Sequence, residues 1–119
     1  MILKSVILAA ALASGGPLKS LQEESRIYEQ CILREALLLE PSGDQASTVL
    51  DAAVIACRKN RERLSEAFWV EKTLKEGEPP SDARVERLMV MADKEFRNRA
   101  LAALLRQRAK RKSKNAPNQ

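Results

Sequence analysis

The sequence contains no histidine among its 119 residues. That removes the commonest general base, the commonest metal ligand and every Ser-His-Asp or Cys-His catalytic arrangement. Cysteine is nearly as scarce, with Cys31 and Cys57 the only two. Two cysteines alone do not complete a tetrahedral zinc site, and their wide spacing is not that of a C-x-x-C redox pair. The four glycines form no phosphate-cradling loop. Aromatic residues make up only 3% of the chain, so a core must be built from Leu, Ile, Val and Ala, which suits packed helices better than a small barrel. There is no internal repeat and no useful stretch of β-type alternation. Only carboxylate chemistry remains open to an enzyme, so the chain reads as non-enzymatic, without cofactor or metal.

Hydrophobic residues account for 45% of the chain and charged residues for 31%, the balance of a globular protein. The length fits one domain, and a domain this small is marginal on burial alone. A covalent constraint would offset that.

The N-terminus has the three parts of an export signal in order. Lys4 supplies a short positive region, Val6 to Ala13 an apolar run, and Ala11-Leu12-Ala13 the small residues that a signal peptidase reads. Cleavage is predicted between Ala13 and Ser14. The apolar run falls short of the ~20 residues that a bilayer span requires. No cysteine follows it to carry a lipid anchor, and the first arginine is Arg26, unlike a mitochondrial presequence. These features predict a periplasmic or secreted protein. The competing account is an uncleaved N-terminal helix of a cytosolic, nucleic-acid-binding helical protein.

The predicted organisation is a signal peptide over 1–13, one helical domain over 14–112 and a disordered tail over 113–119. From Leu18 to Glu40 there is no proline or glycine. Tyr28, Cys31, Ile32 and Leu39 share a helical face there, flanked by Ile27 and Leu38. Pro41-Ser42-Gly43-Asp44 breaks this helix. A second follows, capped by Asp44 or Ser47, with Val49, Ala53, Cys57, Leu64 and Phe68 on its apolar face and Leu50, Val54 and Ala56 beside it. It is expected to run to about Glu76, unbroken or bent near Ser65. Gly77-Glu78-Pro79-Pro80 ends it. Ser81 and Asp82 open a third helix bearing Val85, Leu88, Met89, Ala92, Phe96, Leu101, Leu104 and Leu105, expected to fray after Arg108.

The fold prediction is all-α: a disulfide-linked helical hairpin plus a third long amphipathic helix. Cys31 and Cys57 each lie 13 residues from Asp44. In an antiparallel hairpin they would stand at the same height, both on apolar faces, within the ~4.4–6.8 Å between Cα atoms that a disulfide needs. An oxidising compartment would let the bond persist. A redox-active thiol pair is the alternative, since Arg34 and Arg61 lie one turn away.

Charge is unevenly placed. Residues 94–119 hold nine basic side chains and one acidic, Glu95, leaving residues 14–93 a net charge of −4. Arg97, Arg99, Arg106, Arg108, Lys110, Arg111, Lys112 and Lys114 alternate with Leu101, Leu104 and Leu105, like a basic amphipathic helix lying on an anionic surface. Anionic lipid, lipopolysaccharide or an acidic protein would be the partner. Phosphates of nucleic acid would also attract it, but export disfavours that, and no aromatic residue in 97–119 offers base stacking. A solvated tail is the simpler account of such a run. Glu71–Lys75, Asp93–Arg97 and Glu95–Arg99 have the (i, i+4) spacing of helix-stabilising pairs. Glu62 and Glu66 share a face beside Arg58, Arg61 and Arg63. Phe68 and Trp69 read as core packing.

The pattern Tyr28-x-x-Cys31, then Glu40-Pro41-Ser42-Gly43, then Ala56-Cys57-Arg58 resembles short uncharacterised secreted proteins of Gram-negative bacteria. The likeness covers about residues 25–65. It implies the helical hairpin and export, and adds no functional residue.

Overall fold

A computed structural model describes residues 16–115 of the chain. The predicted export signal and its cleavage position, Ala13 and Ser14, lie outside the described residues, as do residues 116–119. The described residues form four α-helices and no strand: α1 (Leu21–Leu39), α2 (Ala46–Ala56), α3 (Arg58–Glu76) and α4 (Asp82–Asn115).

Local chemistry sets most of the boundaries. The Ser20 side chain accepts from the Glu23 amide at 3.2 Å, and Glu23 and Glu24 occupy the positive first turn of α1. A short 3-10 turn, Glu40–Ser42, follows α1. It closes at Gly43, whose φ of 76° is left-handed and costs glycine least. Gly77 ends α3 the same way, at φ 78°, its amide donating to the Thr73 carbonyl at 2.9 Å. Ser81 accepts from the Arg84 amide at 3.2 Å and starts α4.

Three boundaries depart from the sequence reading. Neither Asp44 nor Ser47 caps α2, which begins at Ala46 without a side-chain cap. Asp44 instead accepts from the Ser42 hydroxyl within the turn. The second run breaks at Cys57, not Ser65, giving four helices instead of three. Cys57 has φ −98° and ψ 17°, and its amide is shared between the Ala53 and Val54 carbonyls, each at 3.1 Å. Finally, α4 stays helical to Asn115, past the expected fraying point at Arg108.

α1 packs against α2, α3 and α4. Along it, Tyr28, Ile32 and Ala36 are spaced by four and fully covered. They meet Val49, Leu50 and Ala53 of α2, Leu64 of α3, and Val85, Met89, Phe96, Ala100 and Leu104 of α4 in one core. The rings of Tyr28 and Phe96 meet edge to face, with centroids 5.8 Å apart. Trp69 departs from expectation: it is 43% exposed and outside the core, whereas Phe68 packs against the core.

The Cys31–Cys57 disulfide is present, with Cα atoms 6.0 Å apart, and ties α1 to the residue between α2 and α3. Charged groups add further ties. Glu24, only 1% exposed, pairs with Arg63 at 2.9 Å and accepts from the Lys19 amide at 3.0 Å. Arg63 also donates to the Gly16 and Pro17 carbonyls, at 2.9 and 2.8 Å. A buried carboxylate needs such partners, since leaving it unpaired costs several kcal/mol.

Cross-linking residues with a sequence separation of 26 removes loop entropy from the unfolded chain worth about 3 kcal/mol. Replacing both cysteines by alanine should therefore lower the unfolding free energy by about that much. Guanidinium unfolding of the oxidised protein and the double variant measures it; equal midpoints would exclude a stabilising role for the bond.

Candidate anionic-surface site

Because α4 has 34 residues, at 1.5 Å per residue it extends about 51 Å. Its side toward α1 carries Phe96, Ala100 and Leu104, all buried, and Leu101 packs against the same core. The apolar stripe expected to meet an external surface is thus largely used inside the molecule. Leu105, 50% exposed, is the part of it left outside.

The cations of α4 divide in two. Arg97 pairs with Asp51 of α2 and donates to the Ser47 carbonyl at 3.3 Å. Arg99 contacts both oxygens of Glu29 on α1 at 2.9 Å and pairs with Glu95. The Glu29 hydrogen bonds, chiefly, hold the Arg99 guanidinium above its ordinary proton affinity. Arg108 lies 3.4 Å from a Glu40 oxygen and donates to the Asp44 carbonyl, while Arg111 pairs with the other Glu40 oxygen. These four arginines join α4 to α1, α2 and the 40–44 turn. By contrast, Arg106, Lys110, Lys112 and Lys114 are exposed and, among the described residues, make no ion pair. Gln107, Lys110, Arg111 and Lys114, spaced i, i+3, i+4 and i+7, line one shallow cleft.

Of the eight residues assigned to the surface by sequence, Arg106, Lys110, Lys112 and Lys114 are therefore free among the described residues, and Arg97, Arg99, Arg108 and Arg111 are held internally. Sequence reasoning missed Gln107 and Glu40. Glu40 is 3% exposed, and its Oε2 faces Arg111 without an aligned hydrogen bond. The signal for it was available: Glu24 and Glu40 continue the buried Tyr28-Ile32-Ala36 row by one four-residue step at either end.

A second polar cluster lies between α1, α3 and α4. The Tyr28 hydroxyl donates to Asp93 Oδ1 at 2.6 Å, and Arg61 meets the same carboxylate at 2.8 Å. Arg61 reaches Glu86 at 3.4 Å as well. Asp93 therefore does not form the expected (i, i+4) pair with Arg97. A two-oxygen contact to Arg61 plus a buried phenol outweighs an exposed pair worth a few tenths of a kcal/mol. Glu71–Lys75, at 3.2 Å, and Glu95–Arg99 do form. Glu66, Asp82 and Glu86 line an open cleft with Ser65, Trp69 and Val85. Among the described residues, no group of three or more His, Cys, Asp or Glu is placed to hold a metal ion.

Burial first, and then the hydrogen bond to Asp93, push the Tyr28 hydroxyl above its ordinary value of 10.0. The folded state thus keeps a proton that an unfolded tyrosine releases. Its contribution is whole below about pH 10 and is lost as pH rises beyond that. Tyr28 is the only tyrosine, so near-ultraviolet phenolate absorbance reports it alone. The signal should be suppressed in the folded protein above pH 10 and appear together with loss of helical circular dichroism. Free titration at the ordinary value would contradict this.

In comparisons with known proteins, the chain matches no family model, no curated protein and no solved structure.

Proposed function

We propose that the chain is an exported, non-enzymatic helical protein that docks peripherally on anionic lipid surfaces through the outer side of the C-terminal half of α4. One observation carries this reading. Residues 106–114 hold six cations, four of them exposed and without an ion pair among the described residues, and no acidic residue occurs after Glu95. Elsewhere on α4, Arg84, Arg97 and Arg99 are matched with carboxylates. A cation near an anionic leaflet contributes about 1 kcal/mol, so four contribute about 4 kcal/mol, enough for reversible and salt-sensitive attachment.

The contact is electrostatic and shallow. Leu101 and Leu104 pack in the core, which leaves little apolar surface to insert. Among the described residues, no helix is long and apolar enough to cross a membrane. Export rests on the signal pattern ending at Ala13 and on the disulfide, which suits an oxidising compartment.

Intact mass measurement of the protein from its native host tests export. Loss of residues 1–13, with both cysteines blocked to alkylation until reduced, is the expected result. A full-length chain with two free thiols would overturn export and move the basic helix toward nucleic acid.

Co-sedimentation with phosphatidylglycerol-containing vesicles tests the surface. Binding should appear at low salt, fade as salt screens beyond ~10 Å near 0.1 M, and be absent on pure phosphatidylcholine. Changing Lys110 and Lys112 together to alanine should weaken it about thirtyfold, with unchanged unfolding midpoint. Binding insensitive to both salt and the double substitution would exclude this face.

A further inference from the structure

We propose that Glu40 is an internal counter-anion that withholds Arg108 and Arg111 from an external anionic surface, so the 40–44 turn sets how many cations α4 presents. The inference rests on the anionic-surface reading above and concerns its regulation.

Two independent observations support it. The first is the pairing itself. Glu40 is nearly fully covered, its two oxygens face Arg108 and Arg111, and Arg108 also grips the Asp44 carbonyl. These contacts fasten the turn to α4 and neutralise part of its charge. The second is the position of Arg111. Its side chain is half exposed, and it lines the same cleft as Lys110 and Lys114. One side of Arg111 thus meets Glu40, while the other borders the free cations. An anion reaching the Lys110–Lys114 cleft competes with Glu40 for Arg111.

In the wild type Glu40 holds the advantage, because its carboxylate is covered by the fold and already in contact with Arg111. Removing the Glu40 charge releases Arg111 to the external contact and loosens the turn at the same time.

Vesicle titration with the full chain tests this, using mixed phosphatidylglycerol–phosphatidylcholine vesicles at low salt. Glu40→Gln keeps the side-chain shape and removes the charge. It should tighten binding about fivefold relative to Glu78→Gln, a remote exposed substitution that changes net charge equally. In the wild type, Arg111→Ala should cost less than twofold whereas Lys112→Ala costs about fivefold; with Glu40→Gln present, Arg111→Ala should also cost about fivefold. If Glu40→Gln does not fold, the wild-type comparison of Arg111→Ala with Lys112→Ala decides alone. Equal losses there, or equal affinities for Glu40→Gln and Glu78→Gln, overturn the counter-anion role and leave the surface reading standing. No binding by the wild type overturns both.

Discussion

The Cys31–Cys57 bond joins the middle of α1 to the one residue at which the chain passes from α2 into α3. Almost everything else in the structure follows from what that anchor permits. With so few aromatic side chains, the core is a thin aliphatic seam, and α1 must contact three other helices to bury enough of it. Fixing Cys57 against α1 lets α2 and α3 leave the anchor separately and cover different stretches of α1. An uninterrupted helix from Ala46 to Glu76 would have followed a single path across it. The unfolded chain, in turn, is denied the conformations in which these segments lie apart.

Arginine supplies a second set of ties where aliphatic packing ends. Arg63 secures the start of α1 through Glu24, Arg61 secures the meeting of three helices through Asp93, and Arg108 with Arg111 secures the end of α1 through Glu40. Each is a guanidinium meeting a carboxylate carried by another element. Arginine suits this use because its planar fork reaches two acceptors at once and is only weakly hydrated. The lysines of the C-terminal half of α4 carry no such internal role. With Arg106 as the exception, the arginines of this segment build the fold and its lysines face outward.

Much of the architecture was legible in the sequence, and the exceptions have physical causes. The helical content, the breaks at Pro41–Gly43 and Gly77–Pro80, and the cysteine pairing follow from turn residues and equal spacing about Asp44. The break at Cys57 was hidden because its neighbours, Ala56 and Arg58, are good helix formers and neither proline nor glycine marks it. Trp69 resembled a core residue by chemistry alone, and only the packing shows it outside. The candidate site was legible as a run of positive charge. Its division into held and free cations was not, because the partners Glu29, Glu40 and Asp51 lie roughly 45 to 70 residues earlier in sequence. Glu24 and Glu40 were readable only as a four-residue row, which a search for apolar periodicity passes over because its ends are charged.

α4 is nearly twice as long as α1 or α3. It gathers positive charge toward one terminus while the remainder of the fold carries a net negative charge. Such a molecule has a large electric dipole, and a dipole experiences torque before it experiences contact. In the field of a negatively charged plane the protein turns so that the end of α4 leads and the acidic remainder trails. Encounter is thereby orientationally selective: collisions that begin broadside are rotated toward end-on approach, and the acidic cleft between α3 and α4 is carried away from the plane.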